Sequence, residues 1–302
     1  MIALGIVAGI LTALFQSTSY LCSAGFMTRY KSPVRLLIFS QLAMGVISLP
    51  FIPFLFPIHS WSMVPEFALY MVLWVGCFAT GQASFFNTLR NIEASRSSSL
   101  LGLKIIVLSI IYVGFLGNRL NGLQWLAVCM SAVAAVGMNW SGGTRFSLKG
   151  VLWLASTLVF YSLTDMVETH LVLMPNSGSM IRDALGVVAV CYAVLGLVTL
   201  PFLRKFRWTR QQFVRAIPFG LTWYLSQATL FVCFGLLGVV FGNVIQSSRG
   251  LFSIALGILV VSLGHARLDA RISPRMWVRR AVAAVLMAVA IILYSAAAQP
   301  HG

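Results

Sequence analysis

Two basic side chains lie in the middle of long apolar stretches. Lys104 lies midway along residues 95–116, and Arg249 lies midway along residues 239–263. A charge at the centre of a bilayer costs roughly 2.5–3.5 kcal/mol on insertion scales, so such residues usually serve a binding site or a pathway. A lysine in the middle of a span cannot reach water by extending its side chain. We therefore expect each residue to bind an anionic group, either a substrate carboxylate or phosphate or a carboxylate of the protein.

Two carboxylates lie inside another apolar stretch. Asp165 and Glu168 are three residues apart, which places them on one face of a helix. One hypothesis is ion coupling, in which a carboxylate alternately binds a proton and a substrate cation. The other is a fixed ion pair with Lys104 or Arg249, because charges inside membranes commonly pair. The sequence leaves both hypotheses open.

The stretch around Arg249 carries polar residues at helical spacing. They recur every three or four positions, at Asn243, Gln246, Arg249 and Ser253. This spacing places them on one helix face, which in lipid must contact protein or water. We predict that the face lines a substrate pathway, and hydrogen bonding between helices is the alternative.

Amides beside aromatic residues occur in other apolar stretches. The residues expected to orient a small polar substrate are Gln82, Tyr161, Trp223, Tyr224 and Gln227. Amides supply directional hydrogen bonds and aromatic rings supply flat apolar contacts, which suits that task. Packing between helices is the alternative explanation for the aromatic residues.

The sequence lacks the usual signatures of catalysis and of cofactor binding. We find no nucleophile–base set and no glycine-rich phosphate loop, and the five cysteines and four histidines are not spaced as metal ligands. We therefore expect a protein that is not an enzyme and has no cofactor and no metal site. Without a nucleotide-hydrolysing domain, any transport has to be driven by a gradient.

Composition identifies the elements that must position these residues. The chain has 302 residues, of which 59% are hydrophobic and only 9% are charged, far below the roughly 25% typical of soluble domains. A span needs about 20 apolar residues. Apolar runs predict ten transmembrane helices, at about 2–26, 34–57, 65–88, 95–117, 121–140, 148–172, 182–203, 213–237, 239–263 and 277–297. The weakest boundary is the one between the eighth and ninth runs, which is marked only by glycines such as Gly238.

The distribution of basic residues predicts the orientation of the chain. Of the 21 lysines and arginines, 17 fall in alternate loops, and only Arg119 and Arg182 fall in the opposite set. The positive-inside rule makes the basic loops cytoplasmic and puts both termini on the other side. We expect an integral protein of the bacterial cytoplasmic (inner) membrane, whose basic loops contact lipid headgroups and not nucleic acid.

A repeat relates the two halves of the chain. Shifted by 145 residues, Gln82 meets Gln227 and Lys104 meets Arg249. Residues 1–145 and 146–302 are therefore predicted to be two five-helix repeats, and an odd number of spans gives them opposite orientations. The small-residue motif Gly5-x-x-x-Gly9 predicts close helix packing, inside the chain or in a homodimer.

One segment carries the resemblance to a known family. Residues 115–138, FLGNRLNGLQWLAVCMSAVAAVGM, resemble the end of an EamA-type repeat, in which one helix closes with Gly-Glu-x-Leu and the next opens with Gln-x-x-Gly. Asn118 stands where the family usually has Glu, and Ala127 where it has Gly. The resemblance to the drug/metabolite transporter superfamily implies ten helices, two inverted repeats and transport of small molecules. It also places Lys104 and Arg249 near positions where EamA-type proteins often have a helix-kinking proline.

Three functions fit these residues. The leading hypothesis is a gradient-driven secondary transporter of a small anionic or zwitterionic metabolite (an amino acid, an organic acid or a phosphorylated metabolite). Lys104 and Arg249 would clamp the anionic group while the repeats alternate access. The first alternative is a proton-coupled exporter of amines or cationic drugs that uses Asp165. The second is a membrane sensor, an assembly factor or a lipid flippase, in which fixed ion pairs neutralise Lys104 and Arg249.

Overall fold

A computed structural model of the chain describes residues 1–55, 64–91, 100–139, 147–206, 209–252, 255–256 and 274–298. These segments consist of helices and turns, with no strand among them. The main helices are α1 (Ile2–Tyr30), α2 (Pro33–Ser48), α3 (Val64–Asn91), α4 (Lys104–Gly114), α5 (Gly122–Asn139), α6 (Leu148–Leu173), α7 (Met180–Thr199), α8 (Arg210–Leu237), α9 (Val239–Gln246) and α10 (Pro274–Ala298).

Six segments are long and apolar enough to cross a membrane. They lie in α1, α3, α6, α7 and α8, and in α2 together with its short extension to Leu55. The helices α4, α5 and α10 are apolar but shorter. The chain is therefore an all-α integral membrane protein.

The helix boundaries follow local chemistry. Pro33 opens α2 at a position where its missing N–H and fixed φ cost nothing. Gly238 separates α8 from α9 with a φ of 79°, which lies in the left-handed region that side chains with a Cβ disfavour. The boundary that only glycines mark in the sequence is thus a single residue, Gly238, whose backbone conformation glycine permits.

The chain divides into two compact units, and each draws on both halves of the sequence. The first unit comprises residues 1–71 and 168–237, and the second comprises residues 72–167 and 238–302. The predicted repeats 1–145 and 146–302 are a different division, based on sequence correspondence, and they stay a prediction.

Close backbone contact holds the first unit together. Helix α1 packs along α8, and α2 packs between α7 and α8. A Cβ added at Gly45 would lie 2.9 Å from the Cα of Gly196, and one added at Gly196 would lie 2.9 Å from the Cα of Gly45. Beside this crossing Thr199 donates a 2.8 Å hydrogen bond to the buried amide oxygen of Gln41. Such close approach is how helices associate in lipid, where apolar side chains gain little from leaving the solvent.

Gly5 packs within the same unit. The place that a Cβ of Gly5 would take is filled by the side chain of Leu237. This residue of the predicted small-residue motif therefore serves internal packing. A homodimer contact through the motif stays a prediction.

The second unit contains the helices that carry the central charges. Helix α5 packs against α10 and α4, and α9 contacts α4, α5 and α10. Between α3 and α6 the hydroxyls of Ser84 and Ser156 are 2.8 Å apart, and those of Thr88 and Thr157 are 3.4 Å apart. These polar contacts let two helices approach closely without leaving a hydroxyl unsatisfied.

Two predicted spans are not continuous helices. A 3₁₀ turn at Leu101–Leu103 precedes α4, so Lys104 opens a helix and does not lie in the middle of one. Helix α9 ends at Gln246, a turn at residues 247–248 follows, and Arg249 comes directly after it. Residues 95–99 and 257–263 of the predicted spans lie outside the described residues.

Local packing and hydrogen bonding account for both interruptions. A Cβ on Gly102 would overlap the Cβ of Ala135, so the 3₁₀ turn rests directly on α5. At the other interruption Ser247 donates a 2.6 Å hydrogen bond to the carbonyl of Val244. Serine side chains that bond to nearby carbonyls compete with the helical pattern and bend helices.

Candidate functional site: a buried charge cluster

Lys104 forms an ion pair with Asp165 in the second unit. Their Nζ and Oδ2 atoms are 2.6 Å apart, and the two side chains are only 14% and 9% exposed. Lys104 lies at the first residue of α4, and Asp165 lies in the last third of α6. A charge-assisted hydrogen bond of this length compensates both charges in a place where water cannot.

Asn243 is the third member of this cluster. Its Nδ2 donates to the same Oδ2 of Asp165 at 2.7 Å and to the carbonyl of Val239 at 2.9 Å. The other end of the amide, Oδ1, is buried and accepts no hydrogen bond from the residues that the structure describes. One carboxylate oxygen therefore joins α4, α6 and α9, and an unused acceptor lies beside it. We call these three residues, Lys104, Asp165 and Asn243, the charge cluster.

The backbone of Lys104 also lies against α6. The hydroxyl of Ser162 lies 3.4 Å from the backbone carbonyl of Lys104, a contact secondary to its 2.7 Å hydrogen bond to the carbonyl of Leu158. Ser162 is one helical turn before Asp165, so the same face of α6 holds both the side chain and the backbone of Lys104. This arrangement limits where the ammonium can go while the carboxylate is charged.

The structure bears on the alternatives that the sequence left open for Lys104. Its ammonium contacts Asp165, so the pairing hypothesis describes the state seen here. This pair does not exclude a role in binding, because a substrate anion can compete for a lysine that is held by one carboxylate. The predicted clamp between Lys104 and Arg249 stays a prediction.

Arg249 and Gln246 lie at the second interruption. Gln246 is the last residue of α9 and is buried, and Arg249 is half-buried. The predicted polar face comprises Asn243, Gln246, Arg249 and Ser253. Its regular helical spacing stops at Gln246, because the helix ends there. Ser253 lies outside the described residues.

Tyr161 and Gln82 were also predicted as substrate ligands, and both lie in the second unit. A Cβ at Gly81 would lie 2.7 Å from the Tyr161 ring, so this glycine gives the ring its place beside α3. The ring of Phe85 lies 6.3 Å from that of Tyr161, in a tilted arrangement. Gln82 is half-buried. The structure thus supports a packing role for Tyr161 and leaves its binding role a prediction.

The remaining predicted ligands, Trp223, Tyr224 and Gln227, lie in the first unit, where the first two contact Tyr192. The indole N–H of Trp223 donates to the hydroxyl of Tyr192 at 3.2 Å. The Tyr192 and Tyr224 rings meet edge to face, with their centroids 5.7 Å apart. Gln227, one helical turn beyond Trp223, is buried. Tyr192 therefore contacts both Trp223 and Tyr224.

Glu168 also lies in the first unit. It is buried, and it lies close enough to Tyr192 and Cys191 for its charge to act on both groups. Asp165 and Glu168 are one turn apart on α6, yet they have different neighbours. Asp165 is paired with Lys104 in the structure, and its role stays a prediction; for Glu168 both hypotheses stay untested.

Sequence reasoning missed Tyr192 and the glycine crossing. Residues 45–51 (GVISLPF) and 196–202 (GLVTLPF) repeat one pattern of small, β-branched and proline residues at an interval of 151. A search for repeats that allowed a change of register would have found this pattern, because its glycines are the residues that touch. Tyr192 has no such signal, since a lone tyrosine in an apolar run more often packs than binds.

Comparison with known proteins adds to this geometry. The sequence profile of the EamA-like transporter family matches residues 3–140. A crystal structure of another protein aligns with the chain at a TM-score of 0.70 and 15% sequence identity, covering 99% of this chain and 100% of that one. At this identity the likeness shows the fold alone. The comparison with curated proteins gives no match. Residues 3–140, a little under half of the chain, are therefore similar to the EamA-like transporter family, which is part of the drug/metabolite transporter superfamily.

Proposed function

We propose that the protein is a gradient-driven secondary transporter of a small anionic or zwitterionic metabolite that works by alternating access. The observation that carries this proposal is the charge cluster at the start of α4. A lysine and an aspartate are paired there at 2.6 Å inside a membrane protein, at an interruption of a helix. The similarity of residues 3–140 to a transporter family supports the general class.

The energetics of buried ion pairs favour a functional reason for the cluster. Replacing such a pair by apolar residues of similar volume is often neutral or even stabilising. Stability alone therefore does not explain an ion pair in lipid, whereas binding of substrate on a transport pathway requires charged residues. A substrate carboxylate or phosphate can bind Lys104 in place of Asp165. The ammonium of a zwitterion can bind Asp165 in place of Lys104.

The proposed architecture is ten transmembrane helices in two inverted five-helix repeats, residues 1–145 and 146–302. The interruptions at Leu101–Leu103 and at 247–248 support it, since each directly precedes a basic residue and these two residues, Lys104 and Arg249, are separated by 145 positions. Interrupted helices at corresponding positions of two repeats are a common way to build a substrate site at the membrane midplane.

The crossing of α2 and α7 supports the repeat independently. In the repeated pattern Gly45 corresponds to Gly196, and Gln41 corresponds to Tyr192. Gly45 faces the Cα of Gly196 and the carbonyl of Tyr192, and Gly196 faces the Cα of Gly45 and the carbonyl of Gln41. This reciprocal contact is what a two-fold axis between the two glycines would produce.

Arg249 is the second basic residue of the proposed transport machinery. It occupies the position in the second repeat that Lys104 occupies in the first, directly after the interruption. We also propose that the basic loops face the cytoplasm and that the protein lies in the inner membrane of a bacterium. Trp223, Tyr224 and Gln227 remain candidates for contacts with the body of the substrate.

A ligand screen tests this proposal. Purified protein in detergent is heated with amino acids, organic acids and phosphorylated metabolites, and the unfolding midpoint is compared with that of Lys104→Ala. We expect an anion or zwitterion to stabilise the wild type and not the variant. The matched control is Lys149→Ala, which removes an exposed lysine at the start of α6 and should leave the response unchanged.

Flux measurements in proteoliposomes then separate transport from binding alone. Lys104→Ala and Arg249→Ala should each abolish gradient-driven uptake of the ligand that the screen identifies, with the fold intact. Wild-type flux in both variants would refute the proposed site.

One observation favours a second candidate function. A closely paired Lys104 and Asp165 is also what a non-transporting sensor or assembly factor would contain. Such a protein would show no flux of any ligand that stabilises it.

Proton-coupled export of amines is disfavoured by the same pair, because an ammonium 2.6 Å from Asp165 repels a cationic substrate.

A further inference from the structure

The charge cluster has the composition of a monovalent cation site. The Asp165 carboxylate and the Asn243 amide oxygen belong to the class of oxygen ligands that hard cations prefer. In the structure the position beside the carboxylate is taken by the ammonium of Lys104, at 2.6 Å from Oδ2. An ammonium on a flexible stem is a compact point charge that resembles a small cation in size and charge.

The orientation of Asn243 is fixed by its neighbours. Its Nδ2 has two acceptors, Asp165 Oδ2 at 2.7 Å and the Val239 carbonyl at 2.9 Å. A flipped amide would turn its oxygen toward both acceptors and would lose both bonds. The carbonyl oxygen is therefore the end without a donor, in a residue that is only 1% exposed.

An unused buried acceptor is costly, so it calls for an explanation. The amide of Asn243 and the ammonium of Lys104 both bond to the same oxygen of Asp165. The amide oxygen Oδ1 therefore lies near the ammonium. A cation that approaches Asp165 without the stem of a lysine is free to contact both oxygens. Among the described residues, the ammonium in its tethered position contacts the carboxylate and not the amide oxygen.

We infer that Asp165 and Asn243 form a binding site for a small monovalent metal cation such as Na⁺, and that Lys104 is a tethered cation that fills this site when no substrate is bound. The consequence for transport rests on the proposed function. When a substrate anion draws Lys104 away, a metal cation enters, and every charge in the membrane stays compensated. The substrate anion and the cation then cross together.

Removing the tethered cation tests the inference without any substrate. Lys104→Met keeps the apolar stem and deletes the ammonium. Its unfolding midpoint is measured in NaCl and in choline chloride at equal ionic strength. We expect NaCl to raise the midpoint by about 2–4 °C, the size of shift that a cation at a few times its dissociation constant produces. The wild type should show no difference between the two salts.

Two double variants locate the response. Lys104→Met with Asp165→Asn should lose it, and Lys104→Met with Asn243→Val should show a smaller shift. The matched control is Arg249→Met, which removes the same charge at the other interruption and should show no shift. An equal response in the Arg249 variant would overturn the inference, because the effect would then reflect total charge and not this site.

Folding yield gives a second readout, since Lys104→Met leaves a buried carboxylate without its ammonium. The fraction of monodisperse protein on size-exclusion chromatography should be several-fold higher when the variant is prepared in NaCl than in choline chloride. Failure to recover the variant in either salt overturns the inference, because a cation in the site is expected to replace the ammonium. A cation response without flux, or flux without a cation response, tells which of the two proposals has failed.

Discussion

Replacing Asp165 with asparagine removes the negative charge of the cluster but keeps the size of the side chain and one acceptor oxygen. Asn243 can therefore still donate a hydrogen bond, whereas the ammonium of Lys104 loses its counter-charge. Both side chains of the pair are less than 15% exposed, so solvent screens the interaction weakly. Breaking a buried pair on one side costs about 3–5 kcal/mol. At about 2–4 °C per kcal/mol, the unfolding midpoint should fall by roughly 6–20 °C.

A double-mutant cycle isolates the pair from the other effects of each substitution. The cycle compares Lys104→Met, Asp165→Asn and the double variant by unfolding in mixed detergent and SDS micelles. It is run in choline chloride, so that no metal cation replaces the ammonium. Ordinary hydrogen bonds between membrane helices couple by about 0.6 kcal/mol, so an ion pair should exceed about 1.5 kcal/mol. Additivity within about 0.5 kcal/mol would refute the pair as a feature of the folded protein.

The chain offers a matched control for this cycle. His170 Nε2 and Glu66 Oε1 are 3.8 Å apart, and their side chains are 46% and 61% exposed. An exposed pair of this kind is worth about 0–1 kcal/mol. The cycle of Glu66→Gln with His170→Ala should therefore give a coupling well below that of the buried pair. An equal coupling in both cycles would show that burial does not set the strength of the Lys104 contact.

Three further predictions concern packing, hydrogen bonding and orientation. Gly45→Ala should destabilise the protein by about 1–3 kcal/mol, because its Cβ would lie 2.9 Å from backbone, whereas Gly76→Ala, with nothing within 4 Å, should stabilise it by up to about 1 kcal/mol. Equal effects would contradict the glycine crossing. Thr199→Val should cost about 1–3 kcal/mol in thermal unfolding, because it leaves a buried amide oxygen without its donor. In a cysteine-free background, thiols introduced as Ser147→Cys and Ser177→Cys should react from the cytoplasmic and the opposite side, respectively. Labelling from one side only would overturn the predicted orientation.

The sequence predicted the helices well where apolar runs and their boundaries coincide. The sixth run was placed at 148–172, and the helix spans Leu148–Leu173. The glycine boundary before the ninth run lies at Gly238. Hydropathy locates such helices because a bilayer requires both apolar side chains and complete backbone hydrogen bonding.

The interruptions at 101–103 and 247–248 were not predictable in the same way. Hydropathy reports which side chains tolerate lipid and says nothing about the backbone that carries them. Neither interruption contains a proline, the one residue that breaks a helix regardless of its surroundings. The 3₁₀ turn packs against α5 through Gly102 and Ala135, which are 33 positions apart in the sequence.

The candidate site was predicted in its residues but not in its pairings. Burial cost alone singled out Lys104 and Asp165, since any charge in lipid needs compensation. The partner of each charge depends on how the helices are arranged, which the sequence does not state. Asn243 was predicted as a substrate ligand on a polar helix face, and the structure shows it bonded to Asp165.

The distance along the chain between the paired residues has a consequence for biogenesis. Asp165 is 61 residues after Lys104, and Asn243 is 78 residues after Asp165. At about 5–20 residues per second, a ribosome makes the lysine about 3–12 s before its counter-ion. During that interval the nascent α4 carries an uncompensated ammonium, which opposes entry into lipid. We therefore expect α4 to be stable in lipid only after α6 has been made and Asp165 can neutralise the ammonium.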